Sequence, residues 1–228
     1  TQSSLIPRDP QRGDTFENVA FIGNETNLVS EFRGQFWHEQ LDALGLRFQK
    51  KLAHDSWHNY SDLDVVLAVR EFGRKNYFRG KPASKLYNAW HAGVPAILGY
   101  ESAFRAERKS DLDYLEATSL TEVISSLKRL RDNKEMRRAM VENGWIRAKE
   151  TQSEQMVAKW QTFLIDSAIP AYKNWCSMSP WQQQVFFNTR RSFLSFRPSY
   201  YFLKSQVFNF VEKTVRGKSS LTISGRRQ

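Results

Sequence analysis

The sequence is poor in the residues and motifs on which several protein classes depend. Cys176 is its single cysteine, which excludes an internal disulfide and fits a reducing compartment such as the cytoplasm. No apolar run approaches the roughly 20 residues that a membrane-spanning helix needs. The Gly-x-Gly-x-x-Gly fingerprint, the Walker A loop and the Gly-x-Ser-x-Gly elbow are missing. These absences argue against a dinucleotide oxidoreductase, a P-loop ATPase and a serine hydrolase.

Histidine is also scarce, and no metal site is expected. The chain has four histidines, of which His54 and His58 could share one face of a helix. No third ligand lies at a useful spacing from them, and no His-Glu-x-x-His pattern exists. An ordinary surface or partly buried role is therefore the interpretation of both side chains.

The residues that are present are enough for a globular fold with an appendage. Of the 228 residues 40% are hydrophobic, with seven Trp, eight Tyr and sixteen Phe, which is typical of a chain with a real core. The net charge is +10, and residues 166–228 hold ten Lys and Arg against two acidic residues. That segment carries +8 of the total, so residues 1–165 are close to balanced and the basicity belongs to the tail.

Hydrophobic patterning predicts strands that alternate with helices. Helices are predicted from a cap at Ser30 to a stop at Gly45, over 85–91, from the capping box at Ser119 to about 131, and over 134–150. The predicted strands cover 19–23, 46–50, 64–69, 95–99 and 114–117. This order favours an α/β fold, a Rossmann-like doubly wound parallel sheet with a helical, basic C-terminal tail.

Three segments are predicted along the chain. Residues 1–18 are polar, contain Pro7, Pro10 and Gly13, and are interpreted as a linker. Residues 19–165 form the Rossmann-like domain, and 166–228 form a basic aromatic helical tail. Just before the tail, Ser153 is expected to cap a helix with Met156, Trp160, Phe163 and Leu164 on one face, and Pro170 is expected to interrupt the helical pattern that follows.

The end of the tail interleaves basic and aromatic residues. A helix over 200–213 would be amphipathic, so residues 190–218 could lie on an anionic membrane surface or pack on a missing domain; both interpretations stay open. Nucleic acid is not the expected partner, because no RNA-recognition, KH, zinc-finger or helix-turn-helix signature is present and the charge is not on the Rossmann-like part.

Residues 81–99 have the pattern of a loop, a short helix, a glycine stop and a buried strand. Pro82 disfavours helix at Lys81, and Ser84 is expected to cap the short helix. Lys81 and Lys85 add positive charge where exposed amides and the helix dipole already favour an anion. The segment therefore predicts a phosphate or diphosphate site at the edge of the sheet.

Two other predicted strands end in residues that suit the same ligand. Arg70 follows the strand over 64–69, at the carboxyl edge where open α/β sheets bind ligands. Gly23 ends the first predicted strand, Asn24 follows it, and both would allow a phosphate to approach the backbone closely. Arg70 and Lys85 are predicted to contact the diphosphate first, with Lys81 next.

The pattern Lys-Pro-x-x-Lys-Leu-x-Asn-Ala-x-x-Ala-Gly-x-Pro-x-Ile, from Lys81 to Ile97, resembles the nucleotide-sugar-binding element in the C-terminal half of GT-B glycosyltransferases. Many retaining members of that class hold the donor with two glutamates, one on the loop and one on the helix. The helix position is Asn88 here, and the loop position falls near Gly80. The resemblance implies a donor site in which Asn88 meets the ribose, Glu101 lies near the sugar, and Ser84 and Leu86 belong to the binding segment.

The resemblance also implies an activity, that of a glycosyltransferase that moves a sugar from a nucleoside-diphosphate sugar to an unknown acceptor. GT-B enzymes use cationic side chains and helix dipoles for the leaving group, so no metal or other cofactor is expected. An N-terminal Rossmann-like domain, missing from this chain, is expected to recognise the acceptor, and a catalytic base is expected outside the chain. The protein is expected in the cytoplasm, either free or peripheral at the inner membrane face.

A non-catalytic protein is the alternative hypothesis. Both the absent glutamates and the basic tail would suit a Rossmann-like scaffold or a membrane-associated binding module. Nucleotide binding distinguishes the two hypotheses, because a glycosyltransferase must bind its nucleotide donor and a scaffold need not.

Overall fold

A computed structural model describes residues 4–73, 78 and 80–194, and contains a five-stranded parallel sheet. The strands follow the spatial order β2-β1-β3-β4-β5, all paired in parallel. Their bounds are β1 Asn18–Ile22, β2 Arg47–Lys51, β3 Val65–Ala68, β4 Ala96–Leu98 and β5 Leu115–Glu116. The α/β class and the Rossmann-like parallel sheet are thereby confirmed.

Eight helices are present in the described part of the chain. Short 3₁₀ turns lie at Pro10–Arg12, Glu25–Asn27, Ser30–Arg33 and His54–Ser56, and a π-helical turn at Leu164–Ala168. The helices are α1 Gln35–Ala43, α2 Ser84–Ala92, α3 Ser102–Glu107, α4 Leu120–Asp132, α5 Lys134–Lys149, α6 Ser153–Phe163, α7 Ile169–Ser177 and α8, residues 180–194. None of these helices is both long enough and apolar enough to cross a membrane.

The sheet is buried on both faces, which explains the continuous apolar runs of its central strands. Because side chains alternate along a strand, Val19 and Phe21 of β1 pack with α1 and α4. Ala20 and Ile22 point to the other face and pack with α2 and α3. Helices therefore cover both faces, as a doubly wound sheet requires.

Several predicted boundaries are confirmed by local chemistry. Gly93 ends α2 with φ of 67°, a left-handed conformation that glycine adopts without strain. The Ser119 hydroxyl accepts a hydrogen bond from the Glu122 amide at 3.2 Å and caps α4. Both signals act over three or four residues, so the sequence alone was sufficient to place them.

The helix predicted from Ser30 is wrong at its start. Ser30 lies inside a 3₁₀ turn and its hydroxyl contacts Glu31 instead of capping. Gly34 is extended, with φ of −76° and ψ of 153°, so the regular helix α1 begins only at Gln35. In the helix that begins there, Phe36 lies at the surface and Trp37 is buried.

Residues 4–18 lie against the amino edge of the sheet. Arg8 and Arg12 both pair with Asp64, which directly precedes β3, and Ile6 forms a parallel bridge with Asn59. By its contacts the chain divides into two compact units, Thr1–Ala158 and Lys159–Gln228, and the first 18 residues belong to the sheet-bearing unit.

The described part of the second unit is helical. Pro170 lies in the first turn of α7, directly after the π-helical turn. Proline has no N–H to donate, and the π-helical turn changes the pattern of backbone hydrogen bonds just before it. The amphipathic helix predicted over 200–213, and all but the first five residues of the predicted membrane segment 190–218, lie outside the described residues.

Candidate functional site

The direction in which the chain winds through the sheet reverses between β1 and β3. From β1 the chain continues to β2 on one side, whereas from β3 it continues to β4 on the other. Open α/β sheets of this order bind ligands at the carboxyl ends of the two strands that flank such a switch point. Gly23 and Arg70 follow those two strands, so the structure brings together residues that are far apart in sequence.

Gly23 leaves room for the ammonium group of Lys85. The Lys85 Nζ donates a hydrogen bond to the carbonyl of Ile22 and lies 5.2 Å from the centre of the Phe21 ring. A Cβ added to Gly23 would come 2.7 Å from that Nζ, and the Gly23 φ of 137° is one that L side chains rarely adopt. The space beside the Gly23 backbone, which was predicted to admit a phosphate, is therefore occupied by the side chain of Lys85.

The surroundings of Lys85 lower the pKa of its ammonium group. Burial and, to a smaller extent, the neighbouring charge of Arg70 lower its pKa to about 8, and Glu101 partly opposes both effects. The ammonium can donate three hydrogen bonds, and Ile22 uses one. A bound anion would favour the charged form, so this lysine suits phosphate binding near neutral pH.

Gly23→Ala is expected to push Lys85 out of its place and raise its pKa from about 8 toward the ordinary 10.5. The measurement is the rate at which an acylating reagent modifies Lys85 as a function of pH, read by mass spectrometry of its peptide. Gly45→Ala is the matched control, because Gly45 also has a positive φ, of 67°, but no atom lies near its added Cβ. An unchanged titration midpoint in Gly23→Ala would contradict the contact.

Arg70 and Glu101 form a buried ion pair beside Lys85. The Arg70 Nη1 donates to Glu101 Oε2, and its Nε donates to Asn27 Oδ1 at 3.3 Å. Glu101 is only 1% exposed, and its Oε1 has no hydrogen-bond partner in the part of the chain that the structure describes. Burial raises the pKa of Glu101, and the nearby cations only partly offset that increase. An acceptor oxygen is thus held next to two cations.

Glu101 precedes α3 but does not cap it. It occupies the N-cap position, yet no side-chain hydrogen bond is made to the first turn of the helix. The ion pair with Arg70 takes the carboxylate toward the switch point. Asn27 and its hydrogen bond to Arg70 were missed by sequence reasoning, although Asn27 lies in the predicted loop after β1.

Lys81, Ser84 and Asn24 line the exposed rim of this region. Asn24 caps the short turn Glu25–Asn27 by accepting from the Thr26 amide at 3.0 Å. Ser84 was predicted as the N-cap of α2, and that prediction is wrong. The carbonyl of Ala83 accepts the first bonds, from Leu86 and Tyr87, so the helix already includes Ser84 and its side chain is exposed.

Asn88 and Leu86 are engaged in the core. Leu86 is fully buried against the sheet, and Asn88 is 6% exposed and hydrogen-bonds the hydroxyl of Tyr60. Lys85, Arg70 and Glu101 therefore converge at the switch point, whereas the amide assigned to the ribose is used inside the protein.

A cavity of about 680 Å³ lies at the opposite, amino edge of the sheet, between the N-terminal segment, α5 and the α2–β4 turn. The arginines that line it already interact with groups of the protein. Arg8 pairs with Asp64, Arg138 pairs with Asp14, and Arg137 donates to three backbone carbonyls. We regard the carboxyl edge as the better candidate site, because there a buried carboxylate oxygen that lacks a partner among the described residues lies beside the cations Arg70 and Lys85.

Comparisons with known proteins give no indication of function, so the function has to be inferred from this geometry. No protein-family model matches the chain, and no curated protein matches it. Within residues 4–73 and 80–194, no three His, Cys, Asp or Glu side chains come together as metal ligands. The group formed by Lys85, Arg70 and Glu101, which we call the switch-point cluster, is the feature that a function has to explain.

Proposed function

We propose that this chain is the donor-binding part of a GT-B-type glycosyltransferase and binds a nucleoside-diphosphate sugar at the switch-point cluster. The observation that carries the proposal is the convergence of Lys85, Arg70 and the unpartnered oxygen of Glu101 where the winding reverses. A diphosphate is bound by cations and a sugar hydroxyl by an acceptor oxygen. The resemblance of residues 81–97 to the donor-binding element of that class supports the same ligand.

In this proposal the cluster stabilises the leaving nucleoside diphosphate. Negative charge grows on the diphosphate as the sugar–phosphate bond breaks, and Lys85 and Arg70 are already placed and partly buried, so little reorganisation is needed. The exposed Lys81 adds a third cation at the start of α2. Glu101 Oε1 accepts a hydrogen bond from a sugar hydroxyl of the donor, and acceptor recognition belongs to a second Rossmann-like domain.

Thermal unfolding with UDP, GDP, ADP and CMP tests the proposal. A ligand that binds only the folded state at about 100 times its dissociation constant adds roughly 2.7 kcal/mol, which raises the midpoint by several degrees. We expect one nucleoside diphosphate to do so selectively. Lys85→Met keeps the apolar stem but removes the charge, and it should abolish the shift.

The matched control is Lys128→Met, which removes an exposed lysine from α4 and should keep the full shift. A nucleotide effect that survives in Lys85→Met would contradict the assigned diphosphate contact. No shift with any of the four nucleotides would contradict donor binding by this chain.

A non-catalytic Rossmann-like scaffold is the second candidate, and the environment of Asn88 favours it. At the helix position where GT-B enzymes place a ribose-binding glutamate, this chain has an amide that hydrogen-bonds Tyr60 in the core. The absence of a response to all four nucleotides, in a chain that unfolds cooperatively, is the result expected for that candidate.

A further inference from the structure

α7 and α8 form a helical hairpin whose turn is closed by a capping box. The Gln182 side-chain oxygen accepts from the Ser179 amide at 2.8 Å, and the Ser179 hydroxyl accepts from the Gln182 amide at 3.4 Å. Pro180 begins α8, where its missing N–H costs nothing. The Gln183 side chain donates to the carbonyl of Trp175 at 3.1 Å and ties the two helices together.

The hairpin leaves most of its apolar side chains uncovered. Trp175 meets Phe186 and Phe187 at ring-centre distances of 5.5 and 4.8 Å, and this is the aromatic contact between the two helices. No side chain in residues 159–194 is buried. Trp181 is 74% exposed and Tyr172 67%, so the contacts within the hairpin do not account for its aromatic content. Apolar surface on this scale marks an interaction site.

The charge of the second compact unit indicates what covers that surface. Residues 159–194 hold four Lys and Arg against one acidic residue, Asp166, and residues 195–228 add a net charge of +6. Two hollows of about 370 and 510 Å³ on α8 are lined by aromatic residues together with Arg190 and, in the second, Arg191. The Arg190 guanidinium lies 5.4 Å from the Phe186 ring. Apolar groups and cations therefore occur on one surface.

An anionic bilayer fits this surface better than a second copy of the chain. Two copies would bring surfaces of the same positive sign together, which is unfavourable, whereas anionic headgroups neutralise the arginines. Exposed aliphatic side chains such as Ile165 and Ile169 need an apolar environment, and the acyl boundary of a bilayer supplies one. Tryptophan and tyrosine are themselves favoured at the level of the headgroups.

We propose that residues 160–194 bind the surface of an anionic lipid bilayer, with the aromatic residues at the acyl boundary and Arg190 and Arg191 at the headgroups. The proposal does not depend on the donor site, because it rests on the second compact unit alone. It extends the contact predicted at 190–218 back to α6 and α7.

Sedimentation of the full chain with vesicles tests the proposal. We expect binding to vesicles of phosphatidylcholine mixed with phosphatidylglycerol and much weaker binding to phosphatidylcholine alone. A basic residue near an anionic surface contributes about 1 kcal/mol, so Arg190→Gln/Arg191→Gln should weaken binding by about 25-fold. Trp181→Gln/Phe187→Gln should weaken it as well, through the lost apolar contact.

Matched controls distinguish this surface from unspecific attraction. Lys128→Gln/Arg129→Gln removes two exposed charges from α4, and Phe36→Gln removes an exposed aromatic residue from α1; both should bind vesicles like the parent chain. Equal losses in the α4 and α8 charge variants would overturn the proposal. So would self-association of the parent chain in solution that Trp181→Gln/Phe187→Gln abolishes, because a second copy would then cover the surface.

Discussion

Asp64→Asn is expected to destabilise the sheet-bearing unit by about 3 kcal/mol, because it breaks a buried charge network. The Asp64 carboxylate accepts hydrogen bonds from both Arg8 and Arg12, and from the backbone amides of Glu17 and Asn18 at 2.9 Å each. Its side chain is 1% exposed. Asparagine would direct an NH₂ group at these donors and leave two guanidinium groups without their counter-charge.

The loss should depend on pH in a defined direction. Burial alone would raise the pKa of Asp64, but hydrogen bonds from Arg12, from the Glu17 and Asn18 amides and from Arg8 outweigh it, so the pKa lies below the ordinary 3.8. A depressed carboxyl pKa stabilises the fold above the pKa of the unfolded chain, and this stabilisation is lost as the pH falls through the folded-state pKa. The difference between the parent and Asp64→Asn should therefore shrink below about pH 4.

Denaturant unfolding of both proteins at neutral pH and at about pH 3 measures this effect. Asp111→Asn is the control, because Asp111 pairs with Arg108 at 2.8 Å but its side chain is 98% exposed. That change should cost less than about 0.5 kcal/mol. A loss in Asp64→Asn no larger than the control would show that the N-terminal segment is not held by this carboxylate.

Arg70→Met is expected to cost about 3 kcal/mol at neutral pH, because it leaves the Glu101 carboxylate buried without its closest cation. The pKa of Glu101 is already raised by burial, and loss of Arg70 should raise it further. A raised carboxyl pKa means that stability is greatest below the pKa of the unfolded chain and is lost as the pH rises through the folded-state pKa. The variant should therefore be closest to the parent in stability at acid pH.

A double-mutant cycle with Glu101→Gln measures the coupling. The variant that carries both changes should recover most of the stability lost in Arg70→Met, since the carboxylate that lost its closest cation is then removed as well. The pair Arg138–Asp14 is the control, with side chains 62% and 40% exposed and an expected coupling of under about 1 kcal/mol. An Arg70→Met cost that is the same in the parent and in the Glu101→Gln variant would refute a coupled pair at the switch point.

The sequence was sufficient for the sheet and for the approximate place of the candidate site. Strands β1 and β3 are short, largely apolar runs that Gly23 and Arg70 follow closely, and the residues after parallel strands meet at one edge of the sheet. Helix α2 and its stop at Gly93 were visible because helix periodicity and a glycine C-cap are local signals. Lys85 could be assigned to that edge because it lies in the first turn of α2.

Other features of the site could not be predicted, because they depend on contacts between distant segments. Asn88 was assigned to a ligand, but its side chain meets Tyr60, which lies 28 positions earlier. Glu101 was expected near the sugar, while its pairing with Arg70 and its unpartnered oxygen follow only from the folded geometry. The N-terminal segment was interpreted as a linker because its attachment to Asp64 has no local sequence signal.

The sequence by itself determined the α/β class, the order of strands and helices and the uneven distribution of charge, since each follows from periodicity, short capping motifs and composition. Only the tertiary structure decided which residues lie next to each other: Lys85 beside Gly23, Arg70 against Glu101, and Asp64 between two arginines. It also decided that the aromatic side chains of α8 are exposed. The physical reason is that hydrogen bonds, burial and pKa shifts depend on distances of a few ångströms between residues whose separation along the chain does not specify them.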